Sequence, residues 1–125
     1  MDTQQSTPPR VPTESEERTW GMVCHLAGLG TIVGALVAWV MLRDRSRFAN
    51  DQGKESVNFQ MFIAVCMFAM MFLWGVALVL HPIFPLIYLL WVALVGFDAL
   101  MVILAAVKAA NGEKFHYPVS LRMLK

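Results

Sequence analysis

The sequence predicts an all-α integral membrane protein. The expected form is a helical hairpin bundle with about three transmembrane helices, the first breakable at its glycines, and an interfacial C-terminal segment. Three observations predict it. Apolar residues make up 58% of the 125-residue chain and charged residues 15%, against about 25% charged in a soluble domain, and mean hydropathy is +0.57. The charges are also segregated: windows 21–42, 59–80 and 86–107 hold one charged residue between them, Asp98. At about 1.5 Å of rise per residue, each window is long enough for a hydrocarbon core of about 30 Å. Finally, no run alternates as a barrel strand does, and a backbone inside lipid must then satisfy itself as helix. The net charge of +1 gives no electrostatic footprint for nucleic acid.

Residues 1–18 read as a flexible polar tail, with Pro8, Pro9 and Pro12 among Ser, Thr, Gln and Glu. Residues 19–125 read as one helical membrane domain. Trp20 marks the start of the first window. Glu14, Glu16 and Glu17 stand before it in place of a basic start, so it reads as a retained helix and not a signal peptide. Gly30, Gly34 and Ala38 recur every fourth residue, a small-residue face suited to close helix packing, within the chain or between copies. The glycines offer an alternative, in which the window breaks into a re-entrant pair of half-helices with both termini on one side.

Residues 43–58 read as a polar connection carrying Arg43, Arg45, Arg47 and Lys54, with Asn50 and Asp51 as helix caps. Window 59–80 is rich in Met and Phe. Residues 81–85 hold two prolines and no charge, the mark of a tight hairpin. The third window closes near Ala110, where Asn111-Gly112 is a helix-end signal. Phe115, Tyr117, Leu121 and Leu124 among polar residues suggest that 113–125 lies along the bilayer surface.

With three crossings, the first loop and the C-terminal tail share a side and carry most of the Lys and Arg. The excess of basic residues then places the C-terminus inside and the N-terminus outside an inner (cytoplasmic) membrane. The expected partners are the lipid bilayer and either further copies of the chain or other membrane proteins, with no nucleic acid.

Asp98 is the one acid in the lipid zone. A central Asp costs roughly 2.5–3.5 kcal/mol to insert, whereas each Leu, Ile, Phe or Val returns roughly 0.3–0.6 kcal/mol. The window holds thirteen of these, so insertion wins. Such a group can serve as a proton or cation site. With no second acid for a relay, the preferred reading is a neutral acid hydrogen-bonded to Thr31 or to a carbonyl near the glycines. Cys24 and Cys66 sit at different depths and read as buried apolar residues. His25 and His81 both fall near the outer side, without the Cys, Asp or Glu spacing of a metal or haem site. No catalytic set, phosphate loop or HExxH appears. No catalytic residue, cofactor or metal is therefore expected, and the chain reads as a non-enzymatic membrane protein acting by helix packing. The alternative is a transport or protein-translocation component using Asp98 and the glycine face of helix 1.

Two polar stretches carry a family resemblance. One is 51–60, with Gly53, Lys54, Glu55, Asn58 and Gln60; the other is 105–118, with Lys108, Asn111, Gly112, Tyr117 and Pro118. With His25 to Leu29, they resemble a family of small bacterial and archaeal membrane proteins of unknown function. That family is linked to the twenty-kilodalton channel-like subunit of the chloroplast inner-envelope (Tic) translocon. The resemblance implies a multi-pass helical protein and no assigned chemistry. Because windows two and three form a hairpin, both stretches fall at its base on the cytoplasmic face. There Glu55, Asn58 and Gln60 are expected to face Lys108, Asn111 and the Tyr117 hydroxyl as a polar clasp.

Overall fold

The computed structural model describes residues 10–125, and the first half of the predicted tail, 1–9, lies outside the described residues. Among the described residues four α-helices follow in order: α1 (Glu14–Leu26), α2 (Ile32–Leu42), α3 (Arg47–Val79) and α4 (Phe84–Ala110), with a 3-10 turn, His81–Ile83, between the last two. Among the described residues there is no strand.

Helix α1 begins inside the segment expected to be a flexible tail. Thr13 and Glu16 form a reciprocal capping box: the Thr13 hydroxyl accepts from the Glu16 amide at 3.3 Å, and the Glu16 carboxylate accepts from the Thr13 amide at 2.9 Å. The helix then ends early. Gly28 and Gly30 follow Leu26, and Gly30 takes φ +80°, a left-handed conformation that favours glycine. Thr31 restarts the chain as the cap of α2, its hydroxyl accepting from the Gly34 amide at 3.2 Å.

The first window is therefore two short helices and not one spanning helix. Helices α1 and α2 have 13 and 11 residues, about 20 and 16 Å of rise, short of the ~30 Å needed to span. The expected continuous face of Gly30, Gly34 and Ala38 is also broken. Gly30 lies in the turn, and Gly34 presses on α1 so closely that a Cβ there would lie 1.9 Å from the Ala27 carbonyl oxygen. Only Ala38 packs as a buried helical position.

Helix α1 runs beside the first half of α3 in the same direction. Gly21 meets Phe48 of α3 and Ala109 of α4; further along, Gly28 meets Ser56 and Gln60. Helix α2 returns the opposite way, and its Trp39 lies over Gly53 while the indole N–H donates to Asn50 Oδ1 at 2.9 Å. The start of α1, the 43–46 loop and the C-terminal tail thus share one end of the molecule, here called the base. The 3-10 turn forms the opposite tip. All ten Lys and Arg belong to segments at the base.

The polar connection expected at 43–58 is mostly helix. Ser46, not Asn50 or Asp51, caps α3, its hydroxyl accepting from the Ala49 amide at 2.9 Å. The polar residues that suggested a loop form the first turns of α3, where α1, α2 and the tail cover them. Gln52, Ser56, Asn58 and Gln60 are all buried.

The tip end is bare. Phe68, Phe72 and Val79 of α3 and Leu89 of α4 are between 63% and 78% exposed. Two helical segments, Arg47–Val79 and His81–Ala110, are long and apolar enough to cross a membrane, and α2 is shorter and apolar.

Candidate functional site

The base is built around the C-terminal tail, which runs across α3 with most of its side chains exposed and Tyr117 buried. Tyr117 is 1% exposed. Its ring stacks on Phe59 with centroids 4.0 Å apart and planes 6° from parallel, and Phe115 meets it edge-on. Phe59, Ile63, Val102, Ala105 and Tyr117 form the core, so an aromatic from the tail completes the packing between α3 and α4. Tyr117 anchors the tail because this buried position offers it both a stacking partner and a hydrogen bond for its hydroxyl.

That hydrogen bond belongs to a network whose donor roles can be assigned. The Phe115 amide donates to Gln52 Oε1 at 3.0 Å, which makes that atom the acceptor. His25 Nε2 lies 3.0 Å from the same oxygen and must therefore carry the proton. The neutral ring then has an unprotonated Nδ1, which accepts from the Tyr117 hydroxyl at 3.0 Å. His25 is fully buried. Burial pulls its pKa down to about 4, against a smaller upward pull from Gln52. Burial also pushes the Tyr117 hydroxyl up, followed by the charges of Asp98 and Glu55. Neither group ionises at neutral pH, so the network joins neutral partners.

One face of α3 holds the rest of the tail, at helical spacing. Asp51 accepts from Lys114 Nζ at 2.6 Å, and Glu55 accepts from the Tyr117 amide at 3.4 Å. Asn58 Oδ1 accepts from the amides of Met123 and Leu124 at 3.1 and 2.9 Å, while its Nδ2 donates to the Leu124 carbonyl at 2.8 Å. Lys54 Nζ donates to the Lys125 carbonyl at 2.6 Å. The clasp therefore joins α3 to the tail: of the residues expected to face Glu55, Asn58 and Gln60, Tyr117 meets Glu55 through its amide and not its hydroxyl, and Lys108 and Asn111 bond elsewhere. Lys108 pairs with Glu113 at 2.6 Å, Asn111 caps α4, and Gly112 turns the chain with φ +79° against the Arg18 guanidinium. Pro118 follows Tyr117 where the tail bends. The tail reaches α3 first, which leaves Lys108 and Asn111 nothing there to bind.

Asp98 has a different partner from the one expected. Gln60 Nε2 donates to its Oδ1 at 2.8 Å, and Gly30 lines the same cavity as Asp98. Thr31 lines the same cavity of about 710 Å³, but its hydroxyl is engaged with the Gly34 amide. Met67, Met71, Trp91 and Val95 form the apolar walls above this polar floor.

The histidines expected on one side lie at opposite ends. His25 sits beside Gln52, and His81 lies in the turn at the tip. The break after α1 separates them by the length of α3 from Gln52 onward, on the order of 40 Å. Cys24 and Cys66 are free. The Cys24 thiol is pushed up to about 11 by burial, which makes it unreactive at neutral pH. Among the described residues no group of three His, Cys, Asp or Glu is placed to hold a metal ion.

Residues 16–124 match a family described as the magnetosome magnetite crystal formation protein family, MamF/MmsF. The chain belongs to the MamF/MmsF family. This match overturns the resemblance to the translocon-linked family, because both polar stretches that carried it lie inside the matched span. Their residues close the base of a helical hairpin, a packing task that says little about function. The MamF/MmsF description names crystal formation and assigns no reaction. No curated protein and no solved structure matches the chain.

Proposed function

We propose that this MamF/MmsF chain is a non-enzymatic component of the magnetosome membrane that acts in magnetite formation by packing with itself or with other membrane proteins. Helices α3 and α4 cross the bilayer, and α1 and α2 enter from the base and turn back. The turn at Gly28 to Thr31 lies level with Gln60, just inside the apolar part of α3. One observation carries this reading. Every Lys and Arg belongs to the base, while the opposite end is a bare apolar hairpin. Basic residues near membrane ends stay on the cytoplasmic side, so the base faces the cytoplasm and the 3-10 turn faces the lumen. The magnetosome address replaces the general cytoplasmic-membrane address and rests on the family match.

The test combines location with phenotype. The protein should fractionate with magnetosome membranes and resist alkaline extraction. Deleting it should change the size or number of magnetite crystals seen by electron microscopy, and the intact gene should restore them. A Leu89→Arg variant, charged in the bare hairpin, should not restore them. Normal crystals in the deletion strain, or a carbonate-soluble protein, would contradict the proposal.

A further inference from the structure

A second cleft opens at the base, beside the clasp. It measures about 430 Å³, and Lys54, Lys114, Arg122 and Lys125 line it. The acids in its wall are Asp51 and Glu55. Asp51 is taken up by Lys114 at 2.6 Å, and Glu55 is turned toward the Tyr117 amide. The cleft therefore keeps an excess of positive charge. Arg122 makes no ion pair among the described residues.

The position of the cleft is as telling as its charge. Its α3 wall runs from Asp51 to Asn58, and the uninterrupted apolar stretch of α3 starts at the next turn. Asn58 is buried and grips the tail through three hydrogen bonds. This holds residues 119–124 beside that boundary, with a tight turn at Arg122 closed by the Met123 amide donating to the Leu121 carbonyl at 2.6 Å. Val119, Leu121 and Met123 are exposed there, at 44%, 38% and 73%. Leu124 lines the cleft itself, so the tail segment that carries Arg122 sets apolar side chains next to the basic cleft.

A cationic cleft at the cytoplasmic end of a spanning helix, with exposed apolar side chains in the tail beside it, matches a molecule with an anionic head and a hydrocarbon tail. We propose that the cleft holds the phosphodiester headgroup of an anionic phospholipid, with an acyl chain against Val119, Leu121 and Met123. Arg122 meets the phosphate together with Lys54, whose Nζ keeps one N–H on the Lys125 carbonyl at 2.6 Å and has two left to donate, and Asn58 acts as a positioning residue by fixing the tail that carries Arg122. This rests on the membrane reading above, but it can fail while that reading stands.

The purified full chain in neutral detergent is titrated with phosphatidylglycerol, with phosphatidylcholine and with inorganic phosphate, following bound lipid by native mass spectrometry and thermal stability. Phosphatidylglycerol should bind and raise the melting temperature, and phosphatidylcholine should not. Arg122→Gln and Lys54→Gln should each weaken phosphatidylglycerol binding, by roughly fivefold per charge removed. Lys108→Gln, outside the cleft, should leave it unchanged. Arg122 is on the surface, so folding of its variant is checked by the unliganded melting temperature. Equal binding of the two lipids, or equal loss in Lys108→Gln, overturns the assignment. Inorganic phosphate reproducing the whole effect would make the ligand a free anion and overturn the lipid. A chain that extracts from membranes as a soluble protein would sink the membrane reading instead, a separable outcome.

Discussion

Tyr117 of the tail lies flat on Phe59 of α3, with ring centroids 4.0 Å apart, and its hydroxyl is 3.0 Å from His25 of α1. One side chain thus ties together the tail, the long hairpin and the folded-back N-terminal pair. Removing the ring and removing the hydroxyl test different parts of this tie. Tyr117→Phe keeps the stack but leaves His25 Nδ1 without its donor, and should cost about 1–3 kcal/mol. Tyr117→Ala also empties the core and should cost about 3–5 kcal/mol. Chemical unfolding in mild detergent measures both; equal losses would mean that the ring contributes nothing.

His25 makes the base sensitive to acid. Its pKa falls from 6.5 to about 4 in the folded chain. Between those values the unfolded chain takes up a proton that the folded chain refuses, so stability rises with pH across this range. The contribution is complete above the unfolded value and is lost as pH falls toward the folded one. Its full size is on the order of 3 kcal/mol. Protonating Nδ1 also removes the acceptor for Tyr117. Melting curves between pH 7.5 and pH 4.5 should show the loss, and His25→Gln should flatten that slope.

Asn58 holds the end of the tail, so its loss should free that end before the hairpin is disturbed. Asn58→Ala should speed tryptic cleavage after Arg122 several-fold, since local opening sets the rate. Lys108→Ala should leave it unchanged, because Lys108 bonds to Glu113 and not to α3. Matching rates in the two variants would remove Asn58 from the clasp.

The glycines divide by what surrounds them. A Cβ at Gly34 would strike the Ala27 carbonyl, and one at Gly53 would lie 2.5 Å from Trp39 Cδ1, whereas Gly75 and Gly96 have nothing within 4 Å. Gly34→Ala should therefore destabilise the fold strongly by forcing α1 and α2 apart. Gly75→Ala and Gly96→Ala sit in open helix and should be neutral or stabilising by up to about 1 kcal/mol. Thermal stability of the three variants side by side checks this order.

The two long apolar helices were legible because a helix facing lipid must be apolar all round, and 59–80 and 86–107 are. The break in 21–42 was legible only as an option. Composition reads the same for one spanning helix or two halves, and the contact between Gly34 and Ala27 that separates them is tertiary. The start of α1 was written in Thr13 and Glu16, a capping box that the polar composition around it hides. Gln60 could have been paired with Asp98, since both are polar residues at similar depth in apolar windows. The burial of Tyr117 left no such signal: an aromatic in a mixed tail suits an interface equally well. The base motifs marked a real structural junction, but packing residues do not name a function, and the family they suggested was the wrong one.

The central claim is that α1 and α2 fold back, so that the start of α1 and the tail share a side and the 81–83 turn faces the other. The direct measurement uses single cysteines at Ser15, Pro82 and Leu121, with Cys24 and Cys66 replaced by Ala, and a membrane-impermeant maleimide on inverted membrane vesicles, whose cytoplasmic face is outward. Ser15→Cys and Leu121→Cys should label in sealed vesicles, and Pro82→Cys only after detergent opens them. Shielding of Ser15→Cys together with Pro82→Cys until detergent opens the vesicles, with Leu121→Cys labelled, would mean that the first window crosses the membrane and would contradict the account.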